Sequence, residues 1–155
     1  MSVFRRRLPS VRAMDARASD FTGPLLFGAA TGLRTTVPLA VLAARAGPPA
    51  GALMALPAAG EIVFDKLPST PSRLLPAGLI ARMTAAAIGG ALLGRRNGHP
   101  LLSAALGAMA AVGGAVAGYS LRQMAEMETA TPDLPWAVAE DGVCLLLSWA
   151  ATSER

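Results

Sequence analysis

The sequence predicts an all-α fold: a polytopic transmembrane helical bundle with four to five spans, packed through small residues. Of its 155 residues, 53% are hydrophobic and only 15% are charged, whereas an ordinary soluble domain carries about 25% charge. The mean hydropathy is +0.46. From Asn97 through Leu121 there is no Asp, Glu, Lys or Arg, and about 20 apolar residues suffice to cross a bilayer core. Glycines recur four apart in three apolar segments, as Gly28 and Gly32, Gly90 and Gly94, and Gly114 and Gly118. That spacing puts two glycines on one helix face and lets backbones approach where lipid supplies no hydrophobic drive.

The chain divides into a basic cytoplasmic or interfacial segment, residues 1–20, and a single transmembrane domain, residues 21–152. Arg5, Arg6, Arg7, Arg12 and Arg17 precede the first apolar run, which places the N-terminus in the cytoplasm under the positive-inside rule. Val3, Phe4, Leu8, Val11 and Met14 suit an interfacial amphipathic helix over about residues 3–18. The first span runs from Phe21 to Ala44 and contains Arg34; Gly47-Pro48-Pro49 closes it. The second runs from Ala50 to Phe64, is short, and carries Pro57, which would permit a broken helix. The third covers Leu74 to Gly94 with Arg82, the fourth Leu101 to Leu121, and the fifth Leu134 to Thr152 with Glu140-Asp141. Whether the second segment spans or is re-entrant, the basic flanks favour a cytoplasmic N-terminus by the same margin, so charge does not choose between five spans and four. Trp136 and Trp149, near the ends of the last span, suit an aromatic belt or a packed core.

Any chemistry lies with the intramembrane charges, since each costs about 2.5–3.5 kcal/mol on insertion scales. Arg34, Arg82, Glu140 and Asp141 fall near the middle of their spans, two of each sign. One reading is mutual neutralisation by Arg–carboxylate pairs that lock the bundle; the other is a polar midplane cavity that binds an ion, a proton or an anionic solute. Adjacent helical positions diverge by about 100°, so Glu140 and Asp141 cannot face one partner together. A second cluster, Glu61, Asp65, Lys66 and Arg73, sits near one mouth. Glu61 and Asp65 share a helix face and read as an interfacial salt-bridge knot. As a divalent-cation site the pair would need further ligands, and the sequence identifies no metal or cofactor site. Gly28-Ala-Ala-Thr-Gly32-Leu33-Arg34 also resembles Gly114-Ala-Val-Ala-Gly118-Tyr-Ser-Leu121-Arg122, each followed by an acidic pair, a faint inverted repeat of transporter type.

The composition excludes a disordered chain, a disulfide scaffold and a multidomain enzyme. Basic residues are not interleaved with aromatics on one face, which argues against nucleic acid as a partner. There is no HExxH, GxSxG or P-loop, His99 lies in a Gly-Pro loop, and Cys144 is alone, so no enzyme is expected.

Taken together, Gly28-x-x-x-Gly32-Leu33-Arg34 with Pro38, Glu61-x-x-x-Asp65-Lys66-x-Pro68, Pro76-Ala77-Gly78 and Ala139-Glu140-Asp141-Gly142 resemble the bacterial membrane family catalogued as domain of unknown function 4126. The resemblance covers about residues 25–152 and departs in the stretch from Ser69 to Leu75, which is shorter than that family's connector. It implies a small multi-pass protein of the bacterial inner membrane and no particular reaction. The sequence therefore points to a transporter or channel-like protein for a small ion or anionic solute. The alternative is a structural or assembly subunit whose charges serve packing; glycine faces on short spans invite a homo-oligomer in either case.

Overall fold

The computed structural model describes residues 17–64, 75–128 and 133–153, and every regular element among them is helical. A single 3-10 turn, Ala18–Phe21, leads into α1 (Thr22–Leu33), α2 (Val37–Ala46), α3 (Pro48–Phe64), α4 (Pro76–Gly94), α5 (Pro100–Glu128) and α6 (Asp133–Ser153). Proline opens α3, α4 and α5 and stands in the first turn of α2, where its missing N–H removes a donor that would lack an intrahelical partner anyway. Two helices, α4 and the Pro100–Met124 part of α5, are long and apolar enough to cross a membrane.

The first apolar segment is not one continuous helix, as expected from hydropathy, but two half-length helices that reverse direction. In an unbroken helix the Pro38 ring would collide with the carbonyl of Arg34 four residues back. Arg34 accordingly leaves the helix with an extended backbone, φ −139° and ψ 122°, and Thr36 opens α2. The direction of α2 follows from its neighbours. Residues of the α1 start share a pocket with Leu93, Arg96 and Ala151, so the ends of α4 and α6 lie beside that start. Arg45, at the far end of α2, reaches Ser153 at the end of α6, Nη2 to Oγ 3.0 Å. The chain thus descends through α1, turns at residues 34–36 and returns through α2. Gly47, with φ 154° and ψ 157°, a region open essentially to glycine alone, turns it again into α3. Pro57, which would permit a broken helix, lies inside α3 without interrupting it.

From there the helices alternate: α3 descends, α4 ascends, α5 descends, α6 ascends. Asn97 Nδ2 donates to the Asp20 carbonyl at 2.8 Å, and the Phe21 and His99 rings lie 5.9 Å apart, which ties the α4–α5 turn to the start of α1. Glycine sets the helix spacing. A Cβ at Gly28 or Gly32 would collide with the carbonyl oxygens of Gly107 and Ala111 on α5. One at Gly90 would meet the Ser103 backbone, one at Gly94 the Ser103 side chain, and one at Gly114 the Ala29 carbonyl. α1 and α5 run parallel in this contact, while α4 and α5 run antiparallel. A small core of Ala30, Leu33, Val37, Ala58 and Cys144 sits where α1, α2, α3 and α6 meet. The outside is strongly apolar: Leu53, Leu56, Ile80, Leu101, Met109 and Leu146 are each more than 60% exposed. Such a surface needs an apolar solvent or a partner.

The expected amphipathic helix at residues 3–18 lies almost wholly outside the described residues.

Glycine contacts divide into essential and dispensable positions. Gly32→Ala is expected to lower stability by about 1–3 kcal/mol through overpacking. Gly113, with nothing near its Cβ position, should accept Ala with a gain of up to about 1 kcal/mol from helix propensity. Thermal unfolding of the two purified variants, followed by far-UV circular dichroism, checks the contrast.

Candidate functional site: the tip of a helical hairpin

The reversal at Arg34-Thr35-Thr36 exposes backbone groups that a continuous helix would pair. At its α2 side, the amides of Thr35 and Thr36 stand just ahead of the helix, beside the positive end of its dipole. Glu61, from α3, occupies this position. Its Oε1 accepts from the Thr35 N–H and its Oε2 from the Thr36 N–H, both at 2.6 Å, and the Thr36 hydroxyl donates to Oε2 at 2.6 Å. The carboxylate, supplied from another helix, therefore pairs the two amides just ahead of α2. On the α1 side, the Ala30 carbonyl accepts the Arg34 N–H at 2.9 Å and the Cys144 thiol at 3.4 Å.

Arg34 itself is fully buried. Its Nε donates to Asp141 Oδ1 of α6 at 2.7 Å, a length typical of a charge-assisted bond. Arg34, Arg82 and Asp141 each lie twelve residues from the helix end beside the α1 start, about 18 Å of helical rise, so three of the four expected midplane charges share one depth. Arg82, 6% exposed, donates through Nη1 to the Gly78 carbonyl at 3.3 Å.

Glu140 takes a different partner from any expected. The 100° offset from Asp141 turns it toward α5, where its Oε2 accepts from Arg122 Nε at 2.9 Å. Arg122, which the sequence placed in the internal repeat, is thus part of the charged network. The signal for it was present in the repeat, which aligns Arg122 with Arg34.

Beside this pair a cavity of about 230 Å³ opens between α5 and α6. Trp136, Ala139, Glu140 and Val143 line it from one face of α6, Gly118, Leu121 and Arg122 from α5, and Leu33 from the end of α1.

Glu61, expected in a salt-bridge knot near one mouth, accepts among the described residues from Thr35 and Thr36 ahead of α2. The sequence distance between Glu61 and Thr35 hid the contact, although Thr35-Thr36 before Pro38 is a legible helix start. Asp65, Lys66 and Arg73 lie outside the described residues. Among the described residues no three metal-ligating side chains cluster. Cys144 is buried in the core, and buried Ser148 and Thr152 of α6 return their hydroxyls to the carbonyls of Cys144 and Ser148, at 2.6 and 2.9 Å. The chain matches no family model, no curated protein and no solved structure.

The Arg34–Asp141 pair makes a clear thermodynamic statement. Arg34→Gln or Asp141→Asn alone should cost about 3–5 kcal/mol, because each leaves a buried charge uncompensated, while the double variant should recover most of that loss. Pairing Asp141→Asn with Arg82→Gln should not. Folded yield and unfolding midpoints of the four proteins read this out.

Proposed function

We propose that this chain is a small polytopic membrane protein of transporter or channel type, in which the tip of the α1–α2 hairpin is the passage site for a small ion or anionic solute. The observation that carries the reading is the reversal at residues 34–36, placed deep in the bundle and surrounded by Arg34, Glu61 and Asp141. Irregular backbone at membrane depth is tolerated where it is enclosed by protein or lines a water-filled path. Half-helix N-termini aimed at anions recur in transporter sites. Here the Glu61 carboxylate holds the place a solute anion would take, so exchange between the two is the natural elementary step.

In this reading α3, α4, α5 and α6 cross the bilayer and α1–α2 is re-entrant. The re-entrant element is then the first apolar segment rather than the second, which bears on orientation. Arg45 joins Arg17, Arg95 and Arg96 at the end where α1 begins, leaving Arg122 toward the opposite end. Lys66 and Arg73 fall in the sequence between α3 and α4. The positive-inside rule then favours a cytoplasmic N-terminal end.

The second reading, a structural or assembly subunit, is favoured by one observation: the 2.7 Å Arg34–Asp141 pair already neutralises the site's one fully buried cation.

Two measurements test these statements. In a Cys144→Ala background, a membrane-impermeant thiol reagent applied to intact cells should label Ser69→Cys and spare Arg96→Cys; the opposite pattern rejects the cytoplasmic placement of the N-terminal end. In proteoliposomes given chloride, nitrate, acetate or phosphate gradients, the wild type should dissipate at least one faster than empty vesicles do. Glu61→Asp and Asp141→Glu, which keep the charge, should slow it by about tenfold or more at normal folded yield, since shifting a carboxylate by a methylene spoils its geometry. Rates equal to those of empty vesicles, or untouched by both changes, favour the packing role.

A further inference from the structure

The two ends of the bundle differ in charge. Arg17 stands before α1, Arg45 in the last turn of α2, and Arg95 and Arg96 just past α4. Far apart in sequence, they are gathered at one end by the fold. Arg96, Asp20 and Ala151 line one small cleft, Asp20 Oδ2 accepts the Arg17 N–H at 2.9 Å, and Arg45 donates to Ser153, two residues beyond Ala151. All four arginines are exposed, and among the described residues none of them forms an ion pair, in contrast to Arg34 and Arg122. At the opposite end Arg122 is paired with Glu140, and the sequence adds Asp65, Glu126, Glu128 and Asp133 against Lys66 and Arg73. An excess of positive charge therefore lies at one end only.

Depth and surroundings say what that charge can meet. Arg95 lies thirteen residues beyond Arg82 along α4, about 20 Å of rise. With Arg82 near the bilayer middle, this is past the hydrocarbon edge, about 15 Å out, and within the head-group layer, which ends about 20–22 Å out. Below the guanidinium groups, Leu25, Leu92, Leu101, Leu102 and Trp149 are each at least 40% exposed, so the cations stand directly above an uncovered apolar belt. A phospholipid is layered in the same way, with its phosphate above its chains. Guanidinium groups match phosphate oxygens in geometry as well as charge, and basic clusters beside membrane-crossing helices attract anionic lipid. A dissolved phosphate ion would meet the arginines alone; a phospholipid meets both layers.

We propose that this end of the protein docks acidic phospholipids, their phosphodiesters on Arg17, Arg45, Arg95 and Arg96 and their chains against the apolar belt below. The inference rests on the membrane reading above, though not on transport.

Tryptophan quenching tests the two separately. The Trp149 carbonyl accepts from Ser153, the partner of Arg45, so its indole reports on this end, and with Trp136→Phe as background it is the sole indole. The protein is reconstituted into phosphatidylcholine vesicles holding a minor fraction of lipid with brominated chains, either phosphatidylglycerol or phosphatidylcholine. Brominated phosphatidylglycerol should reach half-maximal quenching at about fivefold lower mole fraction than brominated phosphatidylcholine, the worth of one basic residue at a charged surface. The preference should shrink in about 1 M salt, where screening acts within about 3 Å. Arg45→Gln/Arg95→Gln/Arg96→Gln, at exposed positions, should abolish it while circular dichroism stays native. Trp136, read in a Trp149→Phe protein, should show no such preference at the opposite end. Equal quenching by the two lipids at Trp149, a preference that survives the triple variant, or one equally strong at Trp136 overturns the site and leaves the membrane reading intact. Loss of the preference in inorganic phosphate but not in chloride of equal ionic strength assigns the arginines to free phosphate and likewise overturns the proposal. No quenching by either lipid at either indole overturns the membrane reading with it.

Discussion

The carboxylate of Glu61 is what allows the chain to turn inside the bundle. A helix that stops at Arg34 and restarts at Val37 leaves the linker amides of Thr35 and Thr36 without helical partners, and a buried unpaired amide costs about as much as a lost hydrogen bond. Water satisfies such groups at a surface; inside the bundle a side chain must. Glu61 satisfies two amides and a hydroxyl at once, and its negative charge sits on the positive end of α2. Much of the remaining geometry follows. With the reversal fixed, Arg34 is carried to the depth of Asp141, Val37 is carried onto Ala58 and Cys144, and Arg45 is returned to the level of Ser153.

The other constraint is spacing. Glycines between α1 and α5, and between α4 and α5, bring backbones so close that no side chain fits between them. Helices this near gain dispersion contacts along their whole length, which compensates for a core that is mostly alanine. The same closeness explains why α5 and α6 part company: α6 packs on α1 and α2 through Cys144 and Asp141, and the space it leaves beside α5 becomes the cavity at Gly118.

The helical class, the glycine faces and four of the helices were legible in the sequence because they depend on local quantities. Apolar run length marks α4, α5 and α6; proline marks the starts of α3, α4 and α5. The hairpin was not legible as such. Hydropathy is blind to a reversal within an apolar run, since both halves are equally apolar, and only the joint reading of Thr35-Thr36 with Pro38 signals it. Pro57 is the complementary case: a proline that would permit a broken helix is tolerated within α3. Charge partners divide in the same way. Opposite signs at similar depth pointed to an Arg–carboxylate pair, but which arginine meets which carboxylate depends on rotation about the α6 axis. Glu61 lay furthest from reach, because a side chain capping another helix leaves no periodic trace.

Adjacent carboxylates on α6 link the two sites. Asp141 holds the hairpin tip through Arg34, and Glu140, one residue earlier, holds Arg122 at the cavity. Both bonds are short and both side chains are largely buried, so neither tolerates much change in the rotation of α6. A rotation that lengthened one would swing the other carboxylate through the same angle, because the two share a rigid helix.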